Sequence, residues 1–193
     1  MTSKKELYET LLAQAKALLS GESDPVARMA NLAALIHTTF GFWWTGFYRV
    51  VAERESTPER HGESNTGFSG ETAKDFSGGL TRGFAGGLTP GASGEHCAET
   101  LLLGPFQGPV ACTRIPYGKG VCGTAWKEVR TVVVPDVEQF PGHIACSSES
   151  RSEIVVPVIR EGRVTAVLDI DSRALNTFDE VDARYLERLA ALL

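Results

Sequence analysis

Four cysteines and a close set of acids are the residues in this sequence whose types could do chemistry. The cysteines stand at 97, 112, 122 and 146. In "PGHIACSSESRSEIVVPV", Cys146 follows Gly-His-Ile-Ala and precedes Ser147, Ser148, Glu149 and Ser150, and an apolar run begins only at Ile154. Structural cysteines usually sit inside apolar runs as small hydrophobes. One in a polar loop feeding a strand is a candidate to bind metal, form a bridge or react. Cys122, in "GKGVCGTAWKEV", enters a helix through glycines beside Lys119. Helix N-termini and neighbouring cations both lower a thiol pKa. The competing reading is a small residue packing that helix against a sheet, and the residues leave both open. Cys112, in "ACTRIP", alternates with Thr113 as on a strand and fits plain core. Cys112, Cys122, His143 and Cys146 offer the donors of a tetrahedral zinc site. Their spacing is unlike that of zinc ribbons, so no metal is expected.

The acids add a second element. In "VLDIDS", Asp169 and Asp171 are two apart on a strand and share a face, with Leu168 and Ile170 on the other. Glu153 opens the partner strand. Three carboxylates then converge near the loop of Cys146. Clustered acids repel, so at least one should resist ionisation and serve as a proton donor. Together they also suit an ammonium group. The aromatic set Phe42, Trp43, Trp44, Phe47 and Tyr48 alternates on another strand, mostly as core, with one or two rings free to wall a pocket for a methyl or thioether group.

The elements that position these residues are legible from pattern. Ser3 with Glu6 forms a capping box before Leu7, Leu11, Leu12, Ala15, Leu18 and Leu19, and Gly21 stops that helix. A second helix starts at Asp24-Pro25 and ends at Gly41. "FWWTGFYRVV", "TLLLG", "ACTRIP" and "TVVVP" are strands, with "GVCGTAWKEV" a short helix between the last two. "SEIVVPVIREGRVTAVLDIDS" is a hairpin turning at Glu161-Gly162. Thr177 with Glu180 caps a last helix. The fold class is α+β: a mainly antiparallel sheet, helices on one face, site-forming loops on the other.

Residues 1–193 form one domain, interrupted at about 51–98 by a segment holding half of the chain's 20 glycines and few aliphatics, including the near-repeat "FSGGLTRG"/"FAGGLTPG". It is expected to be a flexible insertion. Net charge is −5, with 42% apolar and 22% charged residues, which favours neither nucleic acid nor an anionic membrane as partner. The N-terminus lacks the apolar core of a signal peptide and no stretch reaches the length of a membrane span. A cytoplasmic protein is expected, in which cysteines are free, catalytic or metal-bound rather than structural disulfides.

The run from "LLLGPFQGPVACTRIPYGKGVCGTAWKE" through "TVVVPDVEQFPGHIACSSESRSEIVVPVIREGRVTAVLDIDS" resembles the GAF-domain free methionine-(R)-sulfoxide reductases. The resemblance covers essentially the whole chain outside 51–98, and its cysteine trio with "GHIAC", "SEIV" and "VLDIDS" is more specific than the GAF fold. It implies that Cys146 is the nucleophile, that Cys112 resolves it as a Cys112–Cys146 disulfide, and that Cys122 is an auxiliary redox cysteine. By the same motifs Glu153, Asp169 and Asp171 hold the substrate amine and sulfoxide oxygen, Asp171 and Glu153 joining the catalytic set. Trp44 and Tyr48 wall the methyl-sulfinyl end, and main chain at Ile144, Ala145 and Cys146 meets the carboxylate. No cofactor is implied. The implied partners are free methionine-(R)-sulfoxide and thioredoxin as reductant, with a homodimer left open. The alternative is a non-catalytic GAF sensor of a small molecule, which would need no cysteine trio.

Overall fold

A computed structural model of the chain describes residues 2–53, 98–144 and 148–193. Residues 54–97, which make up most of the expected insertion, lie outside the described residues, as does Cys146. The elements are α1 (Lys4–Leu19), α2 (Pro25–Phe40), β1 (Trp44–Ala52), β2 (Glu99–Gln107), β3 (Arg114–Pro116), α3 (Gly120–Glu128), β4 (Val132–Val134), β5 (Ser152–Arg160), β6 (Arg163–Ser172) and α4 (Glu180–Ala190). Local chemistry sets several boundaries. Ser3 and Glu6 close the expected capping box. Asp24 accepts from the Ala27 N–H, and Gly41 ends α2 at φ 66°, a conformation glycine adopts without steric cost. Glu161 and Gly162 both have positive φ (51° and 77°), as a two-residue type I′ hairpin requires.

The six strands form one sheet in the order β3-β2-β1-β6-β5-β4, and every neighbouring pair is antiparallel. Strand alternation feeds two cores. On one face Phe47, Ile154, Val156, Leu168 and Ile170 pack with α1, α2 and α4. On the other, Tyr48, Leu101, Val155 and Val167 meet Val121, Ala125 and Trp126 of α3. The expected α+β arrangement holds, and the second face carries α3 as well as loops. A polar tie fastens α1 to α4: the Tyr8 hydroxyl donates to Asp182 Oδ1 at 2.8 Å and Lys4 Nζ to Asp182 Oδ2 at 2.6 Å. Asp182 is buried, where an unpaired charge would cost several kcal/mol. No helix among the described residues is long and apolar enough to cross a membrane.

Three expectations are corrected. Asp179, not Thr177, caps α4, its carboxylate accepting from the Val181 and Asp182 N–H groups while Asp182 closes the box. Thr177 is instead tied to Ser172 Oγ at 2.8 Å. Cys112 lies in the loop before β3 rather than on the strand, because β3 begins only at Arg114. The β1–β2 ladder runs on to Ala52↔Glu99, with the Glu53 N–H donating to the Ala98 carbonyl at 2.6 Å. Residues 51–53 therefore belong to the strand and its neck, not to an insertion.

Candidate active site

The alternation of β6 sends its acids and its aliphatics to opposite faces. Leu168 and Ile170 are fully buried under the helices, while Asp169 and Asp171 face the second side. Register then aligns their neighbours. Asp171 pairs with Trp44 on β1 and with Glu153 on β5; Asp169 pairs with Gly46 and Val155. Directly opposed residues on one face lie about 5 Å apart at Cβ. A row of Trp44, Asp171 and Glu153 thus crosses three strands. The three carboxylates inferred from sequence do converge.

They floor a cleft with about 530 Å³ of empty space, counting its open mouth. Trp44, Tyr48 and Ile115 form an apolar wall, α3 contributes Gly120, Val121 and Cys122, and His143, Ile144 and Ser150 complete the rim. Trp44 stacks on Phe106 with centroids 5.5 Å apart and lies 6.0 Å from Tyr48. Both rings also donate outward: Trp44 Nε1 to the Pro109 carbonyl at 3.1 Å and the Tyr48 hydroxyl to the Cys112 carbonyl at 3.0 Å. The wall of the cleft therefore holds the loop of Cys112. Trp44 needs Gly46 beneath it, since a Cβ there would stand 2.8 Å from Trp44 Cζ3 and 2.5 Å from Phe106 Cβ. Gly46→Ala is expected to cost about 1–3 kcal/mol of stability by overpacking and to displace the Trp44 ring. A denaturant melt and the tryptophan emission spectrum check both.

Electrostatics separate the acids. Burial pushes Glu153 well above the usual carboxylate range, and the Asp171 charge adds to this, while a hydrogen bond with Asp169 pulls it back. Asp169 is raised by burial and then by the Asp171 and Glu153 charges. Burial also raises Asp171, to about 6, against the Ser150 hydrogen bond and attraction to His143. His143 Nε2 lies 3.6 Å from Glu153 Oε2. The resistance to ionisation is therefore strongest within the Glu153–Asp169 pair.

Raised acids have a stability consequence. Between the ordinary 3.8 and about 6 the folded state holds a proton on Asp171 that the unfolded state has lost, so stability falls as pH rises through that window and stays lower above it. At 1.36 kcal/mol per unit, the loss is on the order of 2–3 kcal/mol at most. Asp171→Asn is expected to melt higher than wild type at pH 8, with the gap closing near pH 4. A gap that does not change with pH would show that Asp171 is not the group responsible.

Cys122 is corrected in its electrostatics. Its helix position and Lys119 argued for a lowered thiol pKa, but the side chain is 2% exposed. Burial and the charges of Asp169 and Glu153 push the thiol well up. The argument from the helix N-terminus fails because the thiol is buried, and buried over an acidic sheet. Cys112 is half-buried and does not line the cleft. Ile144 lines it, while Ala145 and Cys146 lie outside the described residues. Cys146, one of the four zinc donors weighed from sequence, lies outside the described residues; among the described residues Cys122 groups with Glu153 and Asp169, with donor atoms within 4.8 Å of one another. Sequence reasoning missed Ser150, Gly46 and the rim role of His143. The glycine inside "WTGFY" was the available signal for Gly46, since a glycine within a strand marks close approach.

The GAF domain family matches residues 71–193. A Dictyostelium discoideum protein called GAF domain-containing protein A is 43% identical, over 99% of this chain and 92% of its own length. The free methionine-R-sulfoxide reductase of Saccharomyces cerevisiae is 36% identical, over 99% and 86% respectively. The crystal structure of the Neisseria meningitidis free methionine-R-sulfoxide reductase, in complex with its substrate, superposes with a TM-score of 0.74 at 41% identity, covering 100% of this chain and 89% of that one. A GAF match over most of the chain, with near full-length identity well above 30% to named reductases, places the sequence: the chain belongs to the GAF-domain family of free methionine-(R)-sulfoxide reductases.

Proposed function

We propose that this protein reduces free L-methionine-(R)-sulfoxide to L-methionine in the cleft between β1, β5, β6 and α3. The observation that carries the reading is the buried convergence of Glu153, Asp169 and Asp171 beside an apolar Trp44–Tyr48 wall. An α-ammonium pairs with the acids and the methyl-sulfinyl end packs on the rings. A peptide-bound sulfoxide has no such ammonium, so the acids select the free amino acid.

The reaction also uses the acids. Sulfoxide sulfur becomes electrophilic when its oxygen is protonated or strongly hydrogen-bonded, and a carboxyl kept neutral by like-charged neighbours supplies that proton. Cys146 attacks sulfur as thiolate; the protonated sulfoxide oxygen passes to the cysteine sulfur as hydroxyl, so methionine leaves and a sulfenic acid stays on Cys146. Cys112 condenses with it, forming a disulfide and releasing water. A dithiol, thioredoxin in our reading, returns both thiols by exchange. The raised thiol of Cys122 suits an auxiliary role over that of first nucleophile. Ile144 and the main chain beyond it meet the substrate carboxylate.

The test is methionine release from the pure protein with dithiothreitol, on free and on N-acetylated sulfoxide. Turnover is expected on the free R epimer, with kcat/KM at least 100-fold lower on the N-acetyl compound. Ligand binding without release of methionine would favour a sensor. Equal rates on both compounds would remove the acids from recognition.

A further inference from the structure

Cys122, Glu153 and Asp169 come from three different elements, α3, β5 and β6, yet their donor atoms lie within 4.8 Å of one another. All three are buried, at 2%, 6% and 7% exposure. Asp169 Oδ1 has no hydrogen-bond partner among the described residues, although the residue lines the cleft. A buried oxygen in that state costs about 1–3 kcal/mol until something pairs with it. The ionisable groups facing the cluster are Asp171 on β6 and His143 on the rim, so the local charge is predominantly acidic.

We propose that Cys122, Glu153 and Asp169 form a binding site for a soft divalent cation of the zinc and cadmium type, entered from the cleft. One thiolate and two carboxylates leave the fourth tetrahedral position open toward the cleft, the pattern of sites with three protein ligands and one exchangeable one. At zinc bond lengths the donors would close to roughly 3.5 Å, within reach of side-chain rotation. The sulfur favours zinc or cadmium over magnesium or calcium, which take oxygen ligands and, for calcium, more of them. If the acids are also the place of the substrate ammonium, a point that rests on the proposed function, the cation and the amino acid exclude each other.

Cadmium titration of the reduced protein with Cys97, Cys112 and Cys146 all replaced by serine tests this through the sulfur-to-cadmium charge-transfer absorption. The band is expected at one equivalent, to vanish on adding Cys122→Ser, to weaken at least tenfold in affinity with Glu153→Gln, and to yield to zinc but not to excess magnesium. No band, or one that survives Cys122→Ser, overturns the site. Because a change at Cys122 disturbs a packed helix, the cadmium-113 resonance of the same triple-serine protein gives a second reading; a shift outside the range of a one-sulfur, oxygen-rich ligand set also overturns it. Saturating L-methionine is expected to abolish the band. If the band persists in the triple-serine protein while the wild-type protein releases methionine from its sulfoxide, the claim of mutual exclusion is overturned while the reductase reading stands. If no methionine is released, that reading fails on its own measurement and the cation site is judged by the titration alone.

Discussion

Cys146→Ser is expected to abolish even the first turnover, whereas Cys112→Ser releases about one methionine per chain without reductant and then stalls at the sulfenic acid. The contrast follows from the chemistry of each step. Attack on sulfoxide sulfur needs a thiolate. An ordinary thiol is only about 3% ionised near neutral pH, and a serine hydroxyl is far less so. Resolution needs only a second thiol within disulfide reach, with Cα atoms no more than about 7 Å apart. The main chain at Cys112 is held by the Tyr48 hydroxyl on its carbonyl and by the Leu103 N–H on the Thr113 carbonyl at 2.9 Å. The Cys112 main chain is therefore fixed from two sides for the second step. Rapid quench with dimedone trapping reads both steps. A stoichiometric first turnover in Cys146→Ser, lost instead in Cys122→Ser, would transfer the nucleophile to Cys122 despite its raised thiol.

The second large effect is at Asp171. Asp171→Asn is expected to lower kcat by about 10²–10⁴, the range for loss of acid–base assistance, with the fold intact. Asp171 titrates near 6, so at pH 7.5 it is mostly the anion of the cluster. After burial, its charge is the leading cause of the raised pKa of both Glu153 and Asp169. Removing it lets that pair lose its proton at lower pH. The alkaline limb of the kcat/KM profile should then move toward acid, alongside a weaker hold on the substrate ammonium. An unmoved limb with unchanged kcat would separate Asp171 from the proton inventory. Since the same substitution is expected to raise stability at pH 8, activity and stability should move in opposite directions.

Much of the frame was legible because it is written in local pattern. The Ser3–Glu6 box, the Asp24-Pro25 start, Gly41 and the Glu161-Gly162 turn are short-range features, and each is where it was expected. The facing of Asp169 and Asp171 followed from period two alone. What escaped the sequence depended on contacts distant in the chain. Thr177–Glu180 and Asp179–Asp182 are equally good caps on paper. Tyr8 and Lys4, from the other end of the chain, hold Asp182 in place. "ACTRIP" alternates like a strand, yet rings on β1 hold the Pro109 and Cys112 carbonyls and pairing starts later. At Cys122 the neighbours in sequence are a glycine-rich turn and a lysine, whereas the neighbours in space are two acids.

The alternation along β6 also restricts how this gene can drift. Deletion of Val167 or Leu168 would carry Asp169 and Asp171 into the helix-covered core and turn Ile170 toward the cleft, since every side chain beyond a one-residue slip changes face. Packing and catalysis would be lost in the same event, so neither could be repaired first. The ladders absorb irregularity elsewhere, between Val158 and Ile159 on β5 and between Gly46 and Tyr48 on β1. Length variation among descendants should collect outside the ladders, where each doubling of a loop costs only about 0.6 kcal/mol. The interior of β6 should vary by substitution alone.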